Sequence, residues 1–410
     1  MSETTARVRS SRSHRRRPRV LLTDAQDRSS LAGCRSLARA GYTVDALATS
    51  RPAAAHWSRF CDRRLTACDP RQSEGRFVAE LRKIVSDRSY QLLVAGSDAS
   101  LLAISRHRER IAPFVQLGLP TSDVVERCVS KWALIRAAAD VGLDSPETEA
   151  CGDEAEATAA ARRFGYPIVL KPRSTVTGRN GDLTQRGSAL VWDEGSLRTV
   201  WPEYGTPSLI QRRMDGAVLS FSGVAADGRL LAYGVSRYGR TWPPEGGAVS
   251  FAETIPPPPG LREKVSDLIA VLGWKGVFEL ELVQCDDGHF AAIDFNPRLF
   301  GSLELITRAG APLTAAWCDW LLGAGGVETE ARPGYHYRWE DAEVRNLWRR
   351  LRERHLGTAI RVLRPRRRMT RSFFRLTDPA PLIARAILLF NHRVRRLGSA
   401  ATRREAPNGS

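Results

Sequence analysis

Between residues 20 and 95, short apolar runs alternate with segments of helical spacing, and this alternation constrains the chain more than any other feature. Val20-Leu21-Leu22-Thr23 is a short buried strand. Ser29–Ala40 has helical spacing and stops at Gly41, a C-cap signal. Tyr42–Ala48 reads as a second strand, Phe77–Ser86 as a second helix, and Gln91–Ala95 as a third strand. Alternation of this kind builds a parallel α/β sheet. The first strand-to-helix turn, Thr23–Ser30, has no GxGxxG, so no dinucleotide fingerprint marks this domain.

The pattern changes after residue 120. Val124–Val141 predicts a helix closed by Gly142, and Ala155–Phe164 another closed by Gly165. Tyr166–Pro172 predicts an edge-like strand ending near Lys171. Residues 174–188 are rich in Gly, Ser, Thr, Arg and Asn, the composition of a mobile loop. Ser208–Gln211, Val218–Ala225 and Leu230–Ser236 read as strands, the last two joined at Ala226-Asp227-Gly228-Arg229. A Pro-rich linker leads to a helix at Leu261–Leu272. Val277–Gln284 and Phe290–Phe295 then alternate as an antiparallel pair around Asp286-Asp287-Gly288. This half of the chain is α+β.

A length of 410 residues suits two or three domains. No run of about 18 apolar residues is present, which predicts no transmembrane helix. The basic N-terminus lacks the apolar stretch of a signal peptide, and seven scattered cysteines never form CxxC. Both features predict a cytoplasmic location. The net charge of +17 is uneven: residues 1–19 carry +6, residues 331–410 carry twenty Arg against six acids, or +14, and the middle is −3. The neutral middle and basic ends separate this chain from a nucleic-acid-binding domain, and no recognition motif is readable. The basic ends read as solvated tails or as contacts for an acidic partner or anionic lipid. Residues 1–17 read as a disordered basic arm. Residues 324–410 read as a basic, mostly helical extension, in which Pro381–Arg396 has an apolar face. That face lies either on a membrane surface or against the body, and the preceding Thr377-Asp378-Pro379 stop favours docking.

The strongest chemical signal is a pair of strands, Glu279-Leu280-Glu281 and Ile293–Arg298. With period-two alternation, Glu281, Asp294 and Asn296 reach one face and form a hard-oxygen set. Such a set suits Mg2+ carried by a nucleotide, because that ion takes few carboxylates and keeps substrate phosphates and water. Only five of the 62 Lys and Arg residues are lysine: Lys83, Lys131, Lys171, Lys264 and Lys275. Where arginine serves as the generic cation, a retained lysine points to a need for a compact ammonium. Ser236–Gly247, with Arg237 and Arg240, suits a carboxylate- or phosphate-binding loop, and a plain surface loop is the competing reading. The histidines make no ligand pattern, and no nucleophile triad is readable.

In this order the motifs resemble the ATP-grasp superfamily of biotin carboxylase, carbamoyl phosphate synthetase large chain and D-alanine–D-alanine ligase, and its carboxylate–amine ligase-like members above all. The resemblance covers residues 18–323 and implies a pre-ATP-grasp α/β domain at 18–120. It implies a two-lobed ATP-grasp domain with antiparallel sheets at 121–323, its lobes meeting near 208–209. It also implies that Lys131 and Lys171 reach the phosphates, and that Gly178 and Gly181 sit in the loop folding over them. Gln211 and Met214 fall in the adenine-binding linker, Glu281, Asp294 and Asn296 hold Mg2+ or Mn2+, and Arg298 steadies the transferred phosphate. Arg237 and Arg240 fall in the substrate-side loop. Two acids usual in the family, near Gln211 and near Leu219, are absent.

The implied activity is an ADP-forming ligase that makes an acyl phosphate from a small carboxylate with Mg-ATP and passes it to an amine. Carboxylation through carboxyphosphate or modification of a protein side chain would use the same ATP half. The non-enzymatic alternative is a degenerate ATP-binding protein whose basic tails meet an acidic partner or membrane surface.

Overall fold

The computed structural model describes residues 17–174, 176–177, 184–204, 206–286, 288–355, 357, 362 and 364–391. Five parallel strands form the first sheet: β1 (Arg19–Leu22), β2 (Thr43–Ala48), β3 (Arg64–Thr66), β4 (Leu92–Val94) and β5 (Gln116–Leu117). Their order is β3-β2-β1-β4-β5. β1 sits at the centre because Val20, Leu21 and Leu22 are all fully buried, as a strand covered on both faces must be. Helices α1 (Arg28–Arg39), α2 (Glu74–Ser86), α3 (Asp98–Arg106) and α4 (Arg108–Ile111) connect them. Ser73 and Ser97 cap α2 and α3 through their side chains.

The predicted helix over 124–141 is two helices, α5 (Ser122–Cys128) and α6 (Lys131–Asp140). Ser130 breaks it, because its hydroxyl accepts from Ala133 N and so caps a new helix. A four-stranded antiparallel sheet follows: β6 (Thr148–Cys151), β7 (Ile168–Pro172), β10 (Ala189–Val191) and β11 (Ser208–Arg212) in the order β10-β7-β11-β6. β7 is therefore an interior strand, not an edge. Helices α7 (Glu154–Phe164) and α8 (Glu194–Val200) cover one face, where Ile168, Leu170 and Ile210 pack. The short ribbon β8 (Val176–Thr177) and β9 (Thr184–Gln185) flanks the glycine-rich loop.

The largest sheet holds eight strands. These are β12 (Ala217–Ala226), β13 (Arg229–Trp242), β14 (Ala248–Ile255), β15 (Gly276–Gln284), β16 (Phe290–Asn296), β17 (Thr329–Glu330), β18 (His336–Arg338) and β19 (Met369–Arg371). Helix α9 (Leu261–Leu272) joins β14 to β15, and α10 (Leu303–Ala309) and α11 (Leu313–Leu321) follow β16. Helix α12 (Glu340–Arg352) joins β18 to β19.

The C-terminal residues do not form the separate, mainly helical extension that composition suggests. β17 pairs with β13, and β18 and β19 extend the large sheet beyond β14. Asp378 accepts hydrogen bonds from Arg35 Nε at 2.8 Å, Ser58 Oγ at 2.7 Å and Arg59 N at 3.0 Å, which fastens this segment to the first domain. Arg35 is fully buried there. Residues 380–391 are helical, with Pro381 and Ala384 turned inward. The arm before residue 17 lies outside the described residues.

Candidate active site

The large sheet aligns two rows of side chains on one face. Ser236, Ser220, Glu281 and Asp294 are successive cross-strand partners over β13, β12, β15 and β16. One step on, Ser222, Glu279 and Asn296 form the second row. Glu279 lies two residues before Glu281 and shares its face for that reason. It accepts from Ser220 Oγ at 3.0 Å, Ser302 Oγ at 3.2 Å and Asn296 Nδ2 at 3.2 Å. The Tyr238 hydroxyl donates to Glu281 at 2.9 Å and lies 3.3 Å from Glu279. Sequence reasoning omitted Glu279 and Tyr238 from the site, although the same period-two count that selects Glu281 selects Glu279.

Two lysines reach this face, one from α6 and one from β7. Lys131 is the first residue of α6, and its backbone N–H donates to Arg173 O at 3.0 Å. Its ammonium is ion-paired with Asp294. Lys171 comes from β7 on the face opposite α7 and α8, and donates to Ile293 O at 2.8 Å. Burial pushes Lys171 down to about 8, the Lys131 charge adds to that, and Asp294 and Glu281 oppose it. Burial, then Glu279 and then Asp294, push Glu281 up to about 8. Asp294 is held below the usual carboxylate range, because Lys131 and Lys171 outweigh its burial.

Arg298 leaves the end of the same hairpin. Its Nε lies 2.8 Å from Asp98 Oδ1, and its Nη2 donates to Asn296 Oδ1 at 3.0 Å. Burial works against its charge, but Asp98, Glu279 and Asp294 outweigh burial and hold it cationic. Asn296 thus bridges Arg298, through its amide oxygen, and Glu279, through its amide nitrogen.

Arg298 also lines a cavity of about 260 Å3 together with Asp24, Asp27, Asp69, Arg71, Gly96, Ser97 and Asp98. The cavity lies beyond the carboxyl ends of β1 and β4. Strand order reverses between these two strands, and open α/β sheets bind ligands at such a point. Asp24 accepts from Ser97 Oγ at 2.9 Å, Ser100 Oγ at 3.1 Å and Gly96 N at 3.2 Å. Position 96 must be glycine, since a Cβ there would stand 2.2 Å from Ser30 Oγ and 2.7 Å from Thr23 O. Burial and the neighbouring Asp24 push Asp27 up to about 7, against the pull of Arg298, Arg71 and Arg28.

Two predicted site residues lie elsewhere. Arg237 is exposed and sits one residue out of phase, on the sheet face away from Ser236 and Tyr238. Arg240 pairs bidentately with Glu343 of α12 at 2.5–3.1 Å and stacks over Phe251, with 4.3 Å to the ring centroid. This pair anchors α12 to the large sheet. Gln211 is buried on β11 on the same face as Lys171, and donates to Thr148 Oγ1 at 2.8 Å. Met214 is half-buried in the turn between β11 and β12. Gly178 and Gly181 lie outside the described residues.

Among the described residues no group of three or more His, Cys, Asp and Glu could hold a metal ion as a cage. The protein offers Glu281 and Asp294, with Glu279 behind them, and this fits Mg2+ that arrives with a triphosphate, which needs only one or two carboxylates. Burial and mutual repulsion disfavour the charge on Glu281, and a divalent cation would supply the missing counter-charge. Ser174 Oγ and Ser236 Oγ are buried, and neither has a hydrogen-bond partner among the described residues.

No family model matches the chain. It is 24 % identical over 210 residues to a formate-dependent phosphoribosylglycinamide formyltransferase of Rhodococcus jostii, 46 % of this chain and 49 % of that one. The chain therefore spans about half the length of the curated relative it matches. Among solved structures it superimposes on N5-carboxyaminoimidazole synthetase from Staphylococcus aureus with a TM-score of 0.59 at 10 % identity, over 78 % of this chain and 80 % of that one. It also matches the biotin carboxylase domain of Hydrogenobacter thermophilus 2-oxoglutarate carboxylase, solved with MgADP and bicarbonate. The TM-score is 0.60 at 14 % identity, over 77 % and 73 % of the two chains. The chain shares the fold of these structures.

Proposed function

We propose that this protein is a ligase that uses Mg-ATP to convert a carboxylate into an acyl phosphate and transfers the acyl group to an amine. The observation that carries the reading is the meeting of Lys131, Lys171 and Arg298 on one acidic strand, β16. Two buried ammonium groups and the partly buried Arg298 beside Glu281 and Asp294 suit a substrate that is itself an anion–metal complex.

In this reading Lys131 leaves Asp294 for the phosphates, and Lys171 neutralises them from β7. Mg2+, held by Glu281 and Asp294, would spread the charge on the triphosphate. A carboxylate oxygen attacks the γ-phosphorus, the bond to the bridging oxygen breaks, and ADP leaves. Arg298 faces both the acidic strand and the cavity, so it suits the acyl phosphate formed between them. The amine nitrogen then attacks the acyl carbon, and phosphate leaves. Positioning and charge stabilisation supply the rate, which accounts for a site with cations and no nucleophile.

The cavity supports an acceptor of one chemical kind. Asp98 is paired with Arg298 and Asp69 with Arg71, while Asp24 and Asp27 line the cavity with two further carboxyl groups. Such walls favour an ammonium over a phosphate. Asp27, pushed up to about 7, suits the removal of a proton from that ammonium before attack. N5-carboxyaminoimidazole synthase from Aspergillus clavatus was solved with ADP and 5-aminoimidazole ribonucleotide, whereas the two further carboxyls of this cavity suit an unphosphorylated amine.

A phosphate-release screen with Mg-ATP, amino acids and small acids, with and without added amines, tests the reading. The expected result is substrate-dependent ADP, lost in Lys171→Ala and in Asp294→Ala. AMP as the nucleotide product, or no turnover with any pair, would contradict it.

A further inference from the structure

Helix α12 is amphipathic in the wrong sense for a helix packed on a protein. Its inward residues are Asp341, Ala342, Glu343 and Asn346, all 8 % exposed or less. Glu343 takes Arg240 and Ser250, and Asn346 donates to Thr241 O at 3.1 Å. Its outward residues are Val344 (65 % exposed), Trp348 (61 %) and Leu351 (48 %), spaced i, i+4, i+7 along one stripe. An ordinary surface helix buries that stripe and turns its acids and amides to water.

The helical stretch 380–391 repeats the arrangement. Pro381 and Ala384 face the body, and Ile383, Ile387 and Phe390 stand outward with the same i, i+4, i+7 spacing. Arg385 joins the two helices through Asp341 at 2.5 Å and stacks over Phe373. This ion pair ties the two helices together, and each leaves an apolar stripe on its outward side. Leu376, 88 % exposed, precedes the second helix. Arg345, Arg352, Arg354, Arg366, Arg367 and Arg371 of the same segment are exposed, and Arg352 lies over the Trp348 ring at 4.5 Å. Residues 331–410 carry twenty arginines against six acids.

We propose that this face docks on a membrane surface bearing anionic lipid. Apolar side chains including Trp and Phe, rimmed by arginine, match the boundary between acyl chains and charged headgroups. Charge complementarity selects this occupant over a second copy of the chain, because a two-fold contact would set the arginine rim against itself. The stripes also stand on the outward faces of two helices instead of lining a groove for a partner helix. Among the described residues no helix is long and apolar enough to cross a membrane, so the contact is peripheral. The proposal is independent of the ATP site.

Co-sedimentation of the full chain with vesicles tests it. Binding to phosphatidylglycerol–phosphatidylcholine vesicles is expected, with little binding to pure phosphatidylcholine. Trp348→Ser with Phe390→Ser should weaken it about tenfold, since two interfacial aromatics are withdrawn. Both residues are exposed, so the variant should keep the melting temperature of the parent, and that measurement accompanies the assay. High salt should weaken binding further in the variant than in the parent, because only the parent retains its apolar contact. Absence of binding to the anionic vesicles would overturn the proposal. So would binding that the double substitution leaves unchanged. Concentration-dependent dimers in analytical ultracentrifugation that the double substitution dissolves would assign the face to a second copy instead.

Discussion

At the residue scale, the site depends on which cation stands where. Lys171 is 6 % exposed and its compact ammonium donates to a backbone carbonyl at 2.8 Å, a role a planar guanidinium does not reproduce. Lys171→Arg should therefore fail as Lys171→Ala does, each losing at least about 100-fold in substrate-dependent ADP formation, as removal of one preorganised charge does elsewhere. Steady-state assays of both variants check this. Asp27 gives a pH test. Its folded value, about 7, lies above the ordinary carboxylate value of 3.8, so the folded state holds the proton more tightly and stability falls as pH rises between them. Asp27→Asn should raise the melting temperature at pH about 8 and change it little below pH about 3, where the carboxyl is protonated in both states. The sequence made Lys131, Lys171, Glu281, Asp294 and Arg298 legible because scarcity and alternation are local signals. It misplaced Arg240, whose partner Glu343 lies 103 residues on, a distance over which no local pattern reports.

At the scale of elements, short strands and helix stops were readable and helix breaks were not. Ser130 looks like an ordinary polar residue inside a helical run until its hydroxyl is seen capping α6. Ser130→Ala should cost about 1 kcal/mol in urea unfolding, the usual value of an N-cap, and should weaken ATP binding by loosening the turn that carries Lys131. Helix α12 makes the complementary point. Its outward apolar stripe reads from sequence as an inward one, since periodicity gives the face but not its direction. Glu343→Ala would leave Arg240, 17 % exposed, without its partner, and should destabilise the fold by about 3 kcal/mol, measured by chemical denaturation.

At the scale of the whole molecule, the chain closes on itself. The C-terminal residues supply three strands of the large sheet, and Asp378 binds Arg35 and Ser58 of the first domain. Composition suggested a tail, because arginine-rich segments usually stay solvated. Here Tyr337, fully buried, and Phe373, 2 % exposed, hold the segment to the body, helped by Arg375 on Glu304 and Arg385 on Asp341, while arginines such as Arg345, Arg352 and Arg354 are exposed. Asp378→Ala leaves a fully buried guanidinium unpaired and should cost several kcal/mol, about 3–5 by analogy with other broken buried pairs. The expected sign is a lower melting temperature with the Lys171 and Asp294 contacts unaltered. The central claim of the account is that two lysines and an acidic hairpin converge on one triphosphate. Isothermal titration of the protein with ATP tests it most directly. ATP uptake should require Mg2+ and be lost in Lys131→Ala/Lys171→Ala. Uptake indifferent to Mg2+ or to both lysines, or no uptake at all, would contradict it.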